Sequence, residues 1–403
     1  MDTTTLAQLK RAACDAVEQR RVELLAVSHE IHAAPELAFE EHQAAALLST
    51  TLRNSGLDVQ EAAFGLETAF VTEFGAASGP RVALLAEYDA LPELGHACGH
   101  NLIATAALGA GLALASLRER LPGRVRVLGT PAEERGGGKE LMARAGAFKE
   151  VDAALMIHPS SVDLVTMPCV AMTEAEVTYR GRAAHAAAMP EQGINALDAL
   201  VLAYQSIAQL RQHIQSNERL HGIITHGGDA PNIVPERASG RFYIRAANAE
   251  ALEALRARVA GCFEAGARAT GADLELQWSD VDYLDLRRNS PLEEAFQRNA
   301  EALGRTFFPI EQLPASLAGS TDMGNISHRV PSIHPMLASA PLHCTIHNPE
   351  FSDHARAPIG DRAAIDGAKA LAMTALDVLF DADVRERAHA IFEAGGSALS
   401  TQR

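Results

Sequence analysis

The sequence predicts an α/β fold: a mostly parallel sheet flanked by helices, interrupted by a smaller α+β unit. Three observations predict it. Before residue 170, short and nearly continuous apolar runs recur, as strands buried on both faces require. From 174 to about 280 the order of patterns is β-α-β-β-α-β, the split-βαβ or ferredoxin-like unit. After about 285 a helix-and-loop pattern returns. The larger domain therefore takes residues 1–173 and 286–403, with 174–285 inserted.

Taken in order, Leu6, Leu9, Ala13, Val17, Leu24, Leu25, Val27 and Ile31 recur at helical spacing and predict a surface helix over 6–32, ending before Pro35. RVALLAE (81–87), RVRVLGT (124–130) and AALMI (153–157) are the buried strands. Between the first two, Asn101 reads as an N-cap for the Ala/Gly-rich helix LIATAALGAGLALASLRER, which should pack closely on the sheet. In the inserted unit come strand 175–181, helix 194–210, strands 222–228 and 240–246, a helix carrying Leu252, Leu255, Val259, Cys262 and Phe263, and strand 273–278. A helix near 291–304, a Gly/Ser/His/Pro-rich stretch (315–355) and a helix over 361–380 complete the chain.

The 403 residues are 47% apolar and 21% charged, an ordinary globular composition that excludes collagen, disulfide scaffolds and disorder. At roughly 100–200 residues per domain, two or three domains fit. The net charge is −16, from 35 basic and 51 acidic residues, and it disfavours nucleic acid and anionic membrane as partners. Five scattered cysteines form no disulfide framework and suit a reducing cytosol. The N-terminus shows no secretory pattern, and Ile103–Leu117 falls short of the roughly 18–20 residues of a membrane span. A cytoplasmic location is expected.

Four segments place metal-ligating and acidic side chains where strands should end. In AEYDALPELGHACGHN (86–101), Asp89 follows a buried strand, while His96, Cys98 and His100 precede a helix. Alternate residues of an extended segment face one way, so Cys98 and His100 can share a centre; taken alone, a buried cysteine is more often a small apolar filler. In GTPAEERGGGKEL (129–141), Glu133 and Glu134 stand past a strand beside three glycines, where open α/β sheets carry their sites. One acid can ligate a metal while its neighbour serves a bound water. His158 ends the third run, and His328, His334, His343 and His347 offer further ligands in the C-terminal part.

With these motifs in place the chain resembles the aminoacylase-like co-catalytic metallopeptidases. Within them it is most similar to the amidohydrolase branch of auxin-conjugate and aminobenzoyl-glutamate hydrolases and aminoacylase-1-like dipeptidases. YDALPELGHACGHN (88–101), GTPAEERGGGK (129–139), YRGRAAHAAAMPEQGINALDA (179–199), PNIVPE (231–236), GSTDMGNISHRVPSIHP (319–335) and HNPEF (347–351) carry the resemblance over essentially the whole chain. It implies a metal-bearing catalytic domain and an inserted lid that forms a homodimer. It also implies two divalent ions: Cys98 bridging, His100 and His158 on one ion, Glu134 and His347 on the other. His347 is preferred to His343 because His-x-Pro-x-Phe matches the branch. Glu133 would be the general base, and Asp89 would orient a ligating histidine. Glu87 stands where many relatives carry a further histidine ligand. His185 would stabilise an oxyanion in the neighbouring subunit. Asn232, Arg245 and the backbone of Gly319, Ser320 and Thr321 would hold the substrate's carboxylate. Phe242 and Ile244 alternate with Arg245, which therefore projects from the less apolar face of its strand.

The reaction implied is hydrolysis of a small N-acyl amino acid or dipeptide. Zinc is the first choice of metal, with manganese or cobalt as alternatives. Three other readings start from the same residues: a cysteine hydrolase with Cys98 as nucleophile and His100 or His96 as base, a non-catalytic metal or peptide binder, and an aryl-amine deaminase.

Overall fold

A computed structural model describes residues 3–313 and 318–396. The chain divides into two compact units, one of Met1–Pro168, Leu286–Leu317 and Thr321–Arg403, the other of Cys169–Asp285 and Ala318–Ser320. The smaller unit thus begins before residue 174 and takes in three residues of the late loop. Gly319 bridges Cys169, and the Val170 N–H donates to the Gly319 carbonyl.

The larger unit opens with α1 (Thr3–Gln19), α2 (Arg21–Ala33) and α3 (His42–Asn54). The single helix expected over 6–32 is thus two, because Arg20 leaves helical geometry at φ −97°, ψ 5°. Then come β1 (Gln60–Glu61), β2 (Phe70–Gly75), β3 (Arg81–Ala86), α4 (His100–Ala115), β4 (Arg124–Gly129), α5 (Gly138–Arg144), β5 (Ala153–Leu155) and β6 (His158–Ser160).

The smaller unit follows as β7 (Ala171–Arg180), α6 (Ala196–Leu210), β8 (Arg219–His226), β9 (Arg237–Ala246), α7 (Ala249–Thr270) and β10 (Asp273–Trp278). Its sheet order is β10-β7-β9-β8, antiparallel throughout. Val177, Tyr179, Phe242 and Ile244 from the sheet pack on Leu200, Ile207, Leu255, Val259 and Phe263 of the two helices, so one face is buried as the alternation requires.

The chain completes the larger unit with α8 (Ser290–Glu301), α9 (Met323–Ser327), β11 (Ser332–Ile333), β12 (Met336–Ala338), α10 (Pro349–His354), α11 (Pro358–Phe380) and α12 (Ala382–Glu393). Its sheet runs β1-β2-β4-β3-β5-β11. The β4, β3, β5 and β11 pairings are parallel, and β1 and β2 add an antiparallel edge. Val82 and Leu84 face one core while Ala83 and Leu85 face another, which is why β3 reads as a continuous apolar run. A Cβ on Gly111 of α4 would sit 2.7 Å from Val127, so the small residue sets how closely helix and sheet approach.

Two local expectations differ. The α4 N-cap is Gly99, in the left-handed region at φ 78°, and not Asn101. Asn101 lies inside the helix, where its amide donates to Ser28 and the Ala355 carbonyl. His158 does not end a strand; it opens β6, which pairs with β12. No helix among the described residues is long and apolar enough to cross a membrane.

Candidate metal centre

The centre lies within the larger unit, on loops that leave the carboxyl ends of its parallel strands. After β3, buried Glu87 and Asp89 are followed by the turn that delivers Cys98 and His100. Asp89 accepts from His100 Nδ1 (3.1 Å) and from the Glu134 N–H (2.9 Å). The first contact fixes the His100 ring so that Nε2 faces inward.

After β4 the chain turns sharply. Ala132 adopts φ 62°, an unfavourable region for a residue with a Cβ, and its N–H donates to the buried carboxylate of Glu41 (2.9 Å). Glu133 and Glu134 follow. The N–H groups of Gly137 and Gly138 then fold back onto the Ala132 carbonyl. A Cβ on Gly138 would lie 1.9 Å from the Pro131 oxygen, so only glycine permits this return. The return carries Lys139 into the interior, where its ammonium pairs with Glu87 and, at 2.5 Å, with Asp322.

Two further segments close the site. His158 Nδ1 donates to its neighbour's carbonyl (Pro159 O, 2.7 Å), leaving the Nε2 lone pair facing Cys98 Sγ at 3.5 Å. His347, at φ 64°, is anchored by its N–H on the Ala97 carbonyl and brings Nε2 to 3.3 Å from Cys98 Sγ and 3.5 Å from Glu134. His343 is exposed and contacts Glu350 instead. His334 is buried beside His158, ring centroids 5.4 Å apart.

The result is two ligand groups that share one sulfur: Cys98, His100 and His158, and Cys98, Glu134 and His347. Within each group the donor atoms lie within 4.8 Å of one another. Buried His100 Nε2 and one Glu134 oxygen have no hydrogen-bond partner among the described residues, a deficit that a cation would relieve. Thiolate, imidazole and carboxylate together suit zinc and neighbouring transition ions. The residues present therefore fit a pair of metals.

The two adjacent glutamates diverge in acidity. Burial, with Glu87 and Glu134 nearby, pushes Glu133 well above the usual carboxylate range. Burial also opposes the charge on Glu134, but His347 and His100 outweigh it and hold that carboxyl low. Burial and Glu134 push the Cys98 thiol up. Burial opposes the charge of His100 as well, but Asp89 and Cys98 raise it well above an ordinary imidazole. His158 falls to about 4, through burial and the neighbouring His100.

The smaller unit holds most of the remaining expected residues. His185 is exposed, and its Nδ1 accepts from the N–H groups of Ala187 and Ala188, both at 3.2 Å. The ring proton is thereby assigned to Nε2. The next residue, Ala186, donates its N–H to the Asn232 carbonyl, so His185 and Asn232 are neighbours. Arg245 donates to Ser320 Oγ (2.8 Å), which donates to the Val170 carbonyl, with Gly319 adjacent. Thr321 belongs to the larger unit, where its buried hydroxyl accepts from the Met323 N–H.

Glu41, Lys139 and Asp322 were not among the residues expected at the site. The GGGK run was the one available signal for Lys139, since three glycines ahead of a lysine permit a tight return. Nothing local marks Glu41.

The model for peptidase family M20/M25/M40 matches residues 83–376. The chain belongs to that family. The Xaa-Arg dipeptidase of Mus musculus is 42% identical over 388 residues, spanning 93% of this chain and 90% of the relative. A p-aminobenzoyl-glutamate hydrolase chain of Escherichia coli is 34% identical over 76% of this chain and 68% of its own length. The fold is shared with the aminobenzoyl-glutamate utilization protein of Klebsiella pneumoniae (TM-score 0.72, 19% identity, 90% of this chain and 97% of that one). A dinuclear metal-binding M20 peptidase of Bacillus subtilis shares it too (TM-score 0.67, 22% identity, 90% and 99%). This M20 chain is a hydrolase acting on C–N bonds.

Proposed function

We propose that the protein hydrolyses the amide bond of a small dipeptide or N-acyl amino acid at a centre of two divalent cations, zinc by first choice. The observation that carries this reading is the pair of ligand groups joined at Cys98, with Glu133 beside them. Cys98 would bridge, His100 and His158 would hold one ion, and Glu134 and His347 the other. Bound there, the cations would polarise a water and the scissile carbonyl.

Glu133 takes the proton of the attacking water on a carboxylate oxygen and returns it to the leaving amine nitrogen. Burial among like charges favours proton uptake by Glu133, as a group that must accept and then give a proton requires. Asp89 keeps His100 in the tautomer whose Nε2 ligates. His185 presents Nε2–H as a donor to the oxyanion. Arg245, steadied by Ser320, offers its guanidinium to the substrate carboxylate, with Asn232 and the backbone of Gly319 and Thr321 as further contacts.

In this reading 174–285 is the lid and dimer-forming domain, 1–173 and 286–403 form the catalytic domain, and a cytoplasmic homodimer is the working form. Cys98 as a metal-free nucleophile is disfavoured, since that role needs a depressed thiol and burial raises this one. The mouse relative's name directs the first screen to dipeptides ending in arginine, followed by N-acyl amino acids. Glu133→Gln should leave metal content unchanged and lower turnover by about 10²–10⁴-fold. Near-normal turnover would refute Glu133 as base. Release of ammonia without a carboxylic acid product would move the reaction to a deamination.

A further inference from the structure

Beneath the two-ion centre lies a second group of acids. Glu87, Glu133 and Asp322 are buried, and one oxygen of each lies within 4.8 Å of the others. Alone, three converging carboxylates would attract a hard divalent cation. The space is served instead by Lys139, fully buried, whose ammonium pairs with Glu87 and Asp322 and whose backbone N–H donates to Asp322 at 2.8 Å. Glu87 is fully buried. Its burial is offset by charge contacts with Lys139 and, at 3.6 Å, with His100. Burial opposes the lysine charge, and the surrounding carboxylates, Asp322 first, hold it protonated all the same.

We propose that Lys139 is a positioning residue that acts as a built-in monovalent cation: it fills the place among Glu87, Glu133 and Asp322 that a third metal ion would otherwise take, and so keeps Glu133 available to move protons. This rests on the two-ion reading of the neighbouring centre. A divalent ion would bind the Glu133 oxygen directly and remove it as a base. An ammonium held by Glu87 and Asp322 supplies attraction without the coordinate bond by which a metal ion would take that oxygen. The tight return at Gly138 exists, on this view, to bring one charge to one place.

The test measures bound ions directly. The full-length protein, Lys139→Ala and Lys139→Ala/Asp322→Asn are dialysed to equilibrium against Mn²⁺, and bound metal is counted by elemental analysis. Lys139→Ala should bind one more equivalent than the unaltered protein, and the double variant, short of one carboxylate, should lose that extra equivalent. In Lys139→Ala the extra ion should lower kcat by about 10²-fold with KM little changed, the scale of a misplaced catalytic group. Adding Asp322→Asn should raise kcat again, a rescue that a purely structural lysine would not produce. A folded Lys139→Ala that binds no extra ion, or whose kcat is indifferent to excess Mn²⁺, overturns the proposal.

Should Lys139→Ala fail to fold, anomalous diffraction from Mn²⁺-soaked crystals of the unaltered protein decides. No peak beside Lys139 Nζ supports the assignment, and a peak among the three carboxylates overturns it. The difference between variants is read relative to the unaltered protein. A count other than two in that protein would sink the two-ion reading without settling the lysine's role.

Discussion

Loading metal into metal-free Glu133→Gln, which lacks the adjacent acid that burial and like charges keep in its protonated range, should expel about two protons near pH 7, and the donors can be named. Cys98 is a thiol before metal arrives, because burial and Glu134 raise it above its ordinary range. It binds as a thiolate, so one proton leaves. His100 is doubly protonated before metal arrives, since the carboxylate of Asp89 outweighs its burial. With Nδ1 committed to Asp89, ligation must use Nε2, and a second proton leaves. His158, lowered to about 4, is already neutral, and Glu134, held low, is already a carboxylate. Each displaced proton makes affinity change by about 1.4 kcal/mol per pH unit. Two give about 2.7 kcal/mol, roughly a hundredfold per unit, with affinity rising as pH rises. Titration calorimetry of Zn²⁺ at pH 7 in non-coordinating buffers of different ionisation enthalpy reads the number as a slope. Asp89→Asn should lower it by about one, because His100 loses the partner that holds its second proton. A slope of zero would refute the protonation states and the ligand atoms together.

Other perturbations separate the parts. His185→Ala should lower kcat by about 10²–10³-fold, the scale of one lost oxyanion donor, with metal content unchanged by elemental analysis. Gly138→Ala places a Cβ 1.9 Å from the Pro131 oxygen and must displace the Glu133–Lys139 turn, so activity should be lost while circular dichroism still reports a folded chain. Glu73 bonds Arg124 and Arg126 and lies near Arg81. Burial works against its charge, but these guanidiniums hold the carboxyl low. Its contribution to stability is present above the ordinary glutamate range and fades as pH falls through the lowered value. Glu73→Gln should therefore flatten the acid limb of a denaturation-versus-pH profile, by about 1 kcal/mol for this partly solvated network.

What was legible in the sequence is what depends on short-range pattern. β3 declares itself because both faces are covered, and β9 because only one is. Cys98 and His100 were readable because they sit two residues apart at the end of such a run. The Arg20 break was not, since the apolar spacing continues across it and only one residue's backbone departs. Asn101 has the right chemistry for a cap, but its amide is claimed by Ser28 and Ala355, the latter 254 positions away. Glu41, Lys139 and Asp322 escape for the same reason: each gains meaning from partners brought up by folding. His347 and His343 differ by four positions and by nothing in composition. The His-x-Pro-x-Phe pattern favours His347, and the Ala97 carbonyl supplies the physical reason, anchoring its backbone N–H and turning that ring toward Cys98.

The paired glutamates show why such long-range contacts matter to chemistry. Glu133 and Glu134 are the same residue type, one bond apart in the chain, yet the reading above asks one to stay ionised and the other to cycle a proton. Intrinsic acidity cannot separate them. The left-handed turn at Ala132, pinned by Glu41, sets the backbone from which the two side chains diverge. Glu134 meets His347 and His100, with its own N–H tied to Asp89, and remains a carboxylate fit to ligate. Glu133 goes to the buried side, against Glu87 and Asp322, where like charges and lost hydration favour its protonated form. Opposed environments for two chemically equal acids are the means by which one site holds both a ligand and a base. If Glu41→Gln, which touches neither ion, shifted the pH dependence of kcat while metal content stayed constant, that division of labour would be traced to the turn itself. If it left the profile where it was, the turn would be scaffolding and the separation would have to arise from the ions alone.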